Sequence, residues 1–227
     1  MQRRLMLING SSKSTGFLGE AERAATEHAR SRGAEVDALH LRDAAIEECI
    51  GCFLCLKTGE CCHRDDMDAI IERMQAADGF IVLGPVRNGH VAIGYKRFYE
   101  RITYRVGFPL LIEDTYTLAI SSVGYLGGKS ASRRFLGLQD VFHTHLSGHL
   151  HFAVGIPSRP MDDRNRARIG MAVDKLLRDI ERKKSRGWGG ALSFAVERLT
   201  MRRVMFAKKP DVYANVIHHW RQKGYMK

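Results

Sequence analysis

Five short apolar runs, each followed by a stretch of helical periodicity, constrain the fold of this chain more than any other feature of its sequence. The runs lie at 4–9, 34–41, 79–84, 116–122 and 150–156. Between them, 17–32 reads as a helix that closes at Gly33. Behind Asp65 as N-cap, Met67, Ile70, Ile71 and Met74 form an i, i+3, i+4, i+7 stripe. Tyr95, Phe98, Tyr99, Ile102 and Val106 mark a third helix, and 130–146 reads as a fourth. The clearest helix carries Ile169, Ala172, Val173, Leu176, Leu177 and Ile180 and runs to about Lys184. Strands that alternate with helices pair in parallel, and right-handed crossovers place the helices on both faces. Five units are too few for an eight-unit barrel. The expected fold is therefore α/β, an open doubly wound five-stranded parallel sheet. Ligands of such sheets bind beyond the carboxyl ends of the strands, where loops 10–16, 84–90 and 122–130 should meet.

The sheet domain is expected to span residues 1–186, with 187–227 as a basic helical C-terminal extension. Trp188-Gly189-Gly190 reads as a break and 191–207 as a further helix. One side of that helix carries Leu192, Ala195, Val196, Leu199 and Phe206. The other carries Phe194, Met201 and Met205, with Arg198, Arg202 and Arg203 between. A helix apolar on two sides needs two partners, so the extension is expected to pack on a neighbouring subunit of a homo-oligomer. Charge is uneven in the same direction. Residues 1–158 hold 18 basic and 18 acidic side chains, whereas 159–227 hold 18 basic and 7 acidic. This excess suits a solvated helix face, and it also suits a nucleic acid or an anionic membrane surface as partner. No apolar run approaches the roughly 18 residues of a membrane-spanning helix. The apolar stretch Leu5–Ile8 is shorter than the roughly 7 residues that a secretory signal core requires, so a cytoplasmic protein is expected.

Two segments carry chemistry. The loop after the first strand offers the Ser11, Ser12, Ser14 and Thr15 hydroxyls and free backbone N–H groups at a helix start, a setting that stabilises a terminal phosphate. It contains no G-x-G-x-x-G dinucleotide fingerprint. It is not a nucleoside-triphosphate loop either, because Phe17 stands where that motif requires Lys. All five cysteines fall between Cys49 and Cys62. A disulfide framework would spread them along the chain. The spacing of Cys49, Cys52, Cys55 and Cys61, C-x2-C-x2-C-x5-C with Cys62 as a spare, lets thiolates converge on one centre. An iron–sulfur cluster, free thiols and zinc all remain open on spacing alone. His143, His145, His149 and His151 also cluster, but without the spacing of a metal motif; His149 and His151 should share one strand face.

Taken in order, these segments resemble the flavodoxin-like NAD(P)H-dependent FMN reductases, and within them the iron–sulfur flavoproteins. Four places carry the resemblance: Asn9-Gly10-Ser11-Ser12-Lys13-Ser14-Thr15, the stretch Cys49 to Cys61, the Asp65-Asp66-Met67 that follows it, and Gly84-Pro85-Val86-Arg87-Asn88-Gly89-His90 with Lys96 and Glu100-Arg101 behind it. Arg87 stands where the family commonly has an aromatic residue, and the phosphate loop is about one residue shorter than usual. The resemblance implies FMN, with its phosphate on Ser11, Ser12, Lys13, Ser14 and Thr15. The flavin ring would lie against Pro85, Val86, Arg87, Asn88, Gly89 and His90, and against Ser122, Gly124 and Gly127. NAD(P)H would be the co-substrate, and a small molecule or a redox protein the electron acceptor. Cys49, Cys52, Cys55 and Cys61 would ligate a [4Fe–4S] cluster close to the flavin. No protein acid or base is assigned a catalytic role. The alternatives are a flavodoxin-like electron carrier and a flavin-containing binding or sensor protein that uses its basic tail.

Overall fold

A computed structural model describes residues 2–185 and 188–226. The expected boundary between sheet domain and extension, at Arg186 and Gly187, lies outside the described residues. The elements run β1 (Arg4–Asn9), α1 (Gly16–Ser31), β2 (Glu35–His40), α2 (Leu54–Thr58), α3 (Met67–Gln75), β3 (Gly79–Arg87), β4 (His90–Val91), α4 (Ile93–Ile102), β5 (Tyr116–Val123), α5 (Lys129–Leu136), β6 (His145–Ala153), α6 (Asp163–Glu181), α7 (Trp188–Thr200) and α8 (Ala214–Gln222). A π turn, Thr103–Gly107, continues α4, and another, Met201–Phe206, continues α7.

The parallel strands stand in the order β2-β1-β3-β5-β6. With the two-residue β4 set aside, this is the 2-1-3-4-5 order of the flavodoxin-like sheet. Both faces are buried, as parallel sheets require. Leu5, Leu7, Ile81, Leu83, Leu118 and Ile120 face α1 and α6. Met6, Ile8, Phe80, Val82 and Ala119 face α3, α4 and α5. The period of two assigns alternate residues of each strand to opposite cores.

Three segments differ from their sequence reading. Residues 137–144 are not helical: α5 ends at Leu136, and Leu138 and His143 take positive φ, 48° and 54°. The last strand starts at His145, not at 150, and ends at Ala153. It is an edge strand whose half-buried polar residues mask the apolar alternation. Finally, loop 84–90 is mostly strand. β3 runs on to Arg87 and turns back into β4, pairing Val86 with Val91 and Arg87 with His90. Asn88 and Gly89, with φ of 49° and 78°, form the two-residue turn that such a hairpin favours.

The extension also differs. Trp188 to Gly190 is the first turn of α7, not a break. Its expected packing on a neighbour is met by the chain itself on one side. Phe194, Met201 and Phe206 join Val216, Ile217 and Trp220 of α8 in a third core, completed by Leu56 and Leu110. Phe206 thus lies with Phe194 rather than with Leu192, because the π turn shifts the helical register. The opposite side, Trp188, Leu192, Val196 and Leu199, is exposed. Among the described residues no helix is long and apolar enough to cross a membrane.

Candidate functional site

The loops after β1, β3 and β5 meet at one edge because the strands that feed them are in register. Asn9 of β1 stands opposite Leu83 of β3, and Pro85 of β3 opposite Ser122 of β5. Asn9, fully buried, shapes the first loop. Its Oδ1 accepts from the Ser11 N–H at 2.8 Å, and its Nδ2 donates to Glu22 of α1 at 2.6 Å. The Lys13 N–H donates to the Ser11 hydroxyl at 3.2 Å. Ser11 is buried, while Ser12, Lys13, Ser14 and Thr15 are exposed. Thr15 is the N-cap of α1 yet its side chain caps nothing, and the first turn carries no acidic residue. Hydroxyls and the positive end of the helix dipole are therefore free to receive an anion. These donors fit a terminal phosphate.

The second and third loops touch. A Cβ on Gly128, whose φ is 69°, would stand 2.1 Å from Val86 Cγ1, so glycine alone allows loop 124–128 to lie on the hairpin. Pro85 is half-buried, Val86 and Ser122 are buried, and Arg87, Asn88, Gly89, His90 and Gly127 are exposed, with Gly124 intermediate. Sequence reasoning missed what fixes this loop. His151 Nε2–H donates to the Gly127 carbonyl at 3.1 Å, so its Nδ1 accepts from the Ser121 hydroxyl at 2.7 Å. His149 Nε2–H donates to Ser132 at 2.8 Å, whose own proton goes to the Lys129 carbonyl. The two histidines do share one face of β6, held by serines. Burial first, then His151 and the Arg133 and Lys129 charges, pull His149 down to about 4. Its ordinary value is near 6.5. Between those values the unfolded chain takes up a proton that the folded chain refuses, so stability is full above about pH 6.5 and falls on acidification toward pH 4. Urea midpoints at pH 7 and pH 5 should differ less in His149→Gln than in the parent chain; equal differences would refute this assignment.

The cysteines occupy a separate place. The segment after β2 runs down α4: Arg97 Nη1 donates to the Ile46 carbonyl at 3.4 Å, and Arg101 Nη1 to the Glu47 carbonyl at 2.8 Å. Gly51 and Phe53, with φ of 68° and 57°, then turn the chain into α2. Cys49, Cys52, Cys55, Cys61 and Cys62 line one small apolar cavity whose far wall is Arg101, Tyr104 and Arg105. Among the described residues no three ligating side chains converge tightly enough for a single ion. Cys61 is held by Arg101 Nη2, 3.3 Å from its sulfur, while Cys62 is exposed and lies 3.5 Å from the Cys52 sulfur. Burial, with Cys61 beside it, pushes the Cys55 thiol up to about 11.

Three buried arginine donors of this wall, Arg101 Nε and Arg105 Nε and Nη1, and the His63 Nε2 nitrogen beside them have no partner among the described residues. An occupant carrying thiolate and sulfide charge would supply their acceptors, so the residues fit an anionic cluster. Two arginines beside five cysteines give a signal that sequence reading can use only once the fold has put 49–62 against 101–105. The structure places Arg101 here, at the far end of α4, and not at the hairpin that leads into its start. Eight residues of helix, about 12 Å, separate Ile93 from Arg101.

Arg101 is 1% exposed and Asp65 5%, paired at 2.6 and 3.0 Å. Burial alone would raise the Asp65 carboxyl, but the Arg101 guanidinium and the Glu47 and Met67 N–H groups outweigh it and hold the carboxyl below its usual range. Arg101→Ala leaves that charge buried and unpaired, and should cost about 3–5 kcal/mol in urea unfolding. A loss below about 1 kcal/mol, the scale of a surface pair, would show that the pair is not buried in solution.

Comparison with known proteins now places these features. The family model for NADPH-dependent FMN reductase matches residues 3–156. The chain belongs to this family. Its curated relatives include an iron–sulfur flavoprotein of Archaeoglobus fulgidus, 37% identical over 100 residues, covering 43% of this chain and 48% of the relative. An iron–sulfur flavoprotein of Methanosarcina thermophila is 29% identical over 144 residues, covering 62% and 74%. The chain spans about half the length of the first of these relatives. Among solved structures, RosB with a bound 8-demethyl-8-formylriboflavin-5′-phosphate is similar in fold, with a TM-score of 0.64 at 12% identity over 86% of each chain. The family match ends within the sheet domain, so it leaves α6 and the whole extension outside.

Proposed function

We propose that this protein is an NAD(P)H-dependent flavoprotein oxidoreductase that binds FMN, holds an iron–sulfur cluster on Cys49, Cys52, Cys55 and Cys61, and passes electrons to a small-molecule or redox-protein acceptor. The observation that carries the flavin part is the meeting of three loops at the carboxyl edge of the sheet, in a chain of the FMN reductase family. The unpartnered arginine donors around the cysteine cavity support the cluster part.

In this reading Ser11, Ser12, Lys13, Ser14, Thr15 and the start of α1 hold the phosphate. Pro85 to His90 and Ser122, Gly124 and Gly127 border the ring. FMN supplies hydride and single-electron chemistry when bound. The chain contributes placement: His151 and Gly128 fix loop 124–128 against the hairpin. Arg101 and Arg105 oppose the negative charge of the thiolates. The exposed side of α7, with Leu192, Val196 and Leu199, is the surface through which we expect a homo-oligomer to form.

The deciding experiment is the visible spectrum of protein purified without oxygen, followed by steady-state oxidation of NADH and NADPH with ferricyanide as acceptor. Flavin bands over a broad iron–sulfur shoulder, with turnover of either nucleotide, are expected. Bound flavin that neither nucleotide reduces would make the protein an electron carrier instead. Absence of flavin would overturn the reading.

A further inference from the structure

We infer that the C-terminal extension is part of the cysteine site, and that Trp220 and Asn215 of α8 position the α2 turn that carries Cys55 and leads to Cys61. The extension lies beyond the portion matched by the family model, yet it does not hang free. Trp220 is fully buried, and its indole N–H donates to the Phe108 carbonyl at 2.8 Å. Leu56, the residue after Cys55, is 2% exposed and packs in the core that α7 and α8 build. Asn215 stands against Gly59, between Cys55 and Cys61: a Cβ there would lie 3.1 Å from Asn215 Oδ1, and Gly59 has φ of 85°. A larger residue there would force the Asn215 side chain aside by a few tenths of an ångström and would sit in a strained left-handed backbone.

A file of rings joins the extension to the cavity wall. Tyr213 stacks on Phe108 with centroids 6.5 Å apart and planes at 3°. Phe108 meets Tyr104 at 5.3 Å, and Tyr104 meets Phe53 edge-on at 5.2 Å. Tyr104 and Phe53 both line the cysteine cavity. A five-residue helix has no independent stability, so α2 is held where it is by what packs on it. Loosening α8 therefore frees the turn between Cys55 and Cys61 before it affects the phosphate loop, which the sheet holds separately.

The inference rests on the cluster reading only for the identity of the occupant, so the test reads the cysteines directly. The full chain is compared with Trp220→Ala and Trp220→Phe by timed N-ethylmaleimide labelling resolved by peptide mass, alongside FMN content. In Trp220→Ala, Cys55 and Cys61 should label roughly ten-fold faster as local opening becomes easier, with Cys62, already exposed, changed less than about two-fold. FMN content should hold. Trp220→Phe keeps the ring without the indole donor and should fall between. Unchanged rates at Cys55 and Cys61, an equal rise at Cys62, or FMN loss in step with labelling would overturn the inference. Where Trp220→Ala does not fold, Trp220→Phe decides by the same comparison. A parent chain without iron would refute the cluster reading and leave this result standing.

Discussion

A Ser11→Asp, Ser12→Asp double variant is expected to purify without FMN and to gain none when FMN is added back. Ser11 is buried, with its N–H committed to Asn9 and its oxygen to the Lys13 N–H. A carboxylate there competes with a phosphate for the same helix start. One pair of like unit charges 4 Å apart costs about 4 kcal/mol at an effective dielectric of 20. That alone is about three decades in affinity, and the variant brings two carboxylates against a dianion. The sheet does not depend on either serine, so circular dichroism should be unchanged. Full flavin absorbance in the double variant would show that the phosphate lies elsewhere. Cofactor released from the parent chain should run as FMN; FAD would contradict a loop with room for a terminal phosphate and no dinucleotide fingerprint.

The second large effect concerns iron. Changing Cys49, Cys52 or Cys55 to Ser should abolish iron and acid-labile sulfide in protein purified without oxygen, while FMN stays bound. The separation follows from the geometry: the cysteine cavity lies at the far end of α4 from the hairpin. Among the last two cysteines, Cys61→Ser should lose most of the iron and Cys62→Ser should keep it. Arg101 holds the Cys61 sulfur against the cavity, whereas Cys62 is exposed. The reverse ranking would show that Cys62 is the fourth ligand. Iron that survives all four substitutions, or a parent chain with neither iron nor sulfide, would remove the cluster and leave the flavin assignment untouched.

Periodicity was enough to place β1 at its observed bounds, α1 within one residue at each end, and the cores on both faces of the sheet. These elements are legible because each buries a face whose spacing is set by the helix or strand repeat itself. The edge where the three loops meet follows from the alternation alone, since a parallel strand always delivers its loop to the same side. The Asn88-Gly89 turn was also written in the chain, though it requires reading N-G as a hairpin signal. What periodicity could not supply was any feature that joins distant segments. The positive φ of Asn88 and Gly89 has a local cause in the hairpin turn, but Arg101 pairs with Asp65, His151 bonds Gly127, and Trp220 supports α2 across separations that only the fold closes. Residues 137–144 and His145–Ala153 were misread because edge-strand histidines satisfied by serines break the apolar alternation. Phe206 was assigned to the wrong side because a π turn changes the angular step of its helix. Local spacing thus determined the layers and the edge where the three loops meet, while the tertiary structure decided which charges and rings surround the cysteines, because those contacts depend on how helices pack and not on how any one of them repeats.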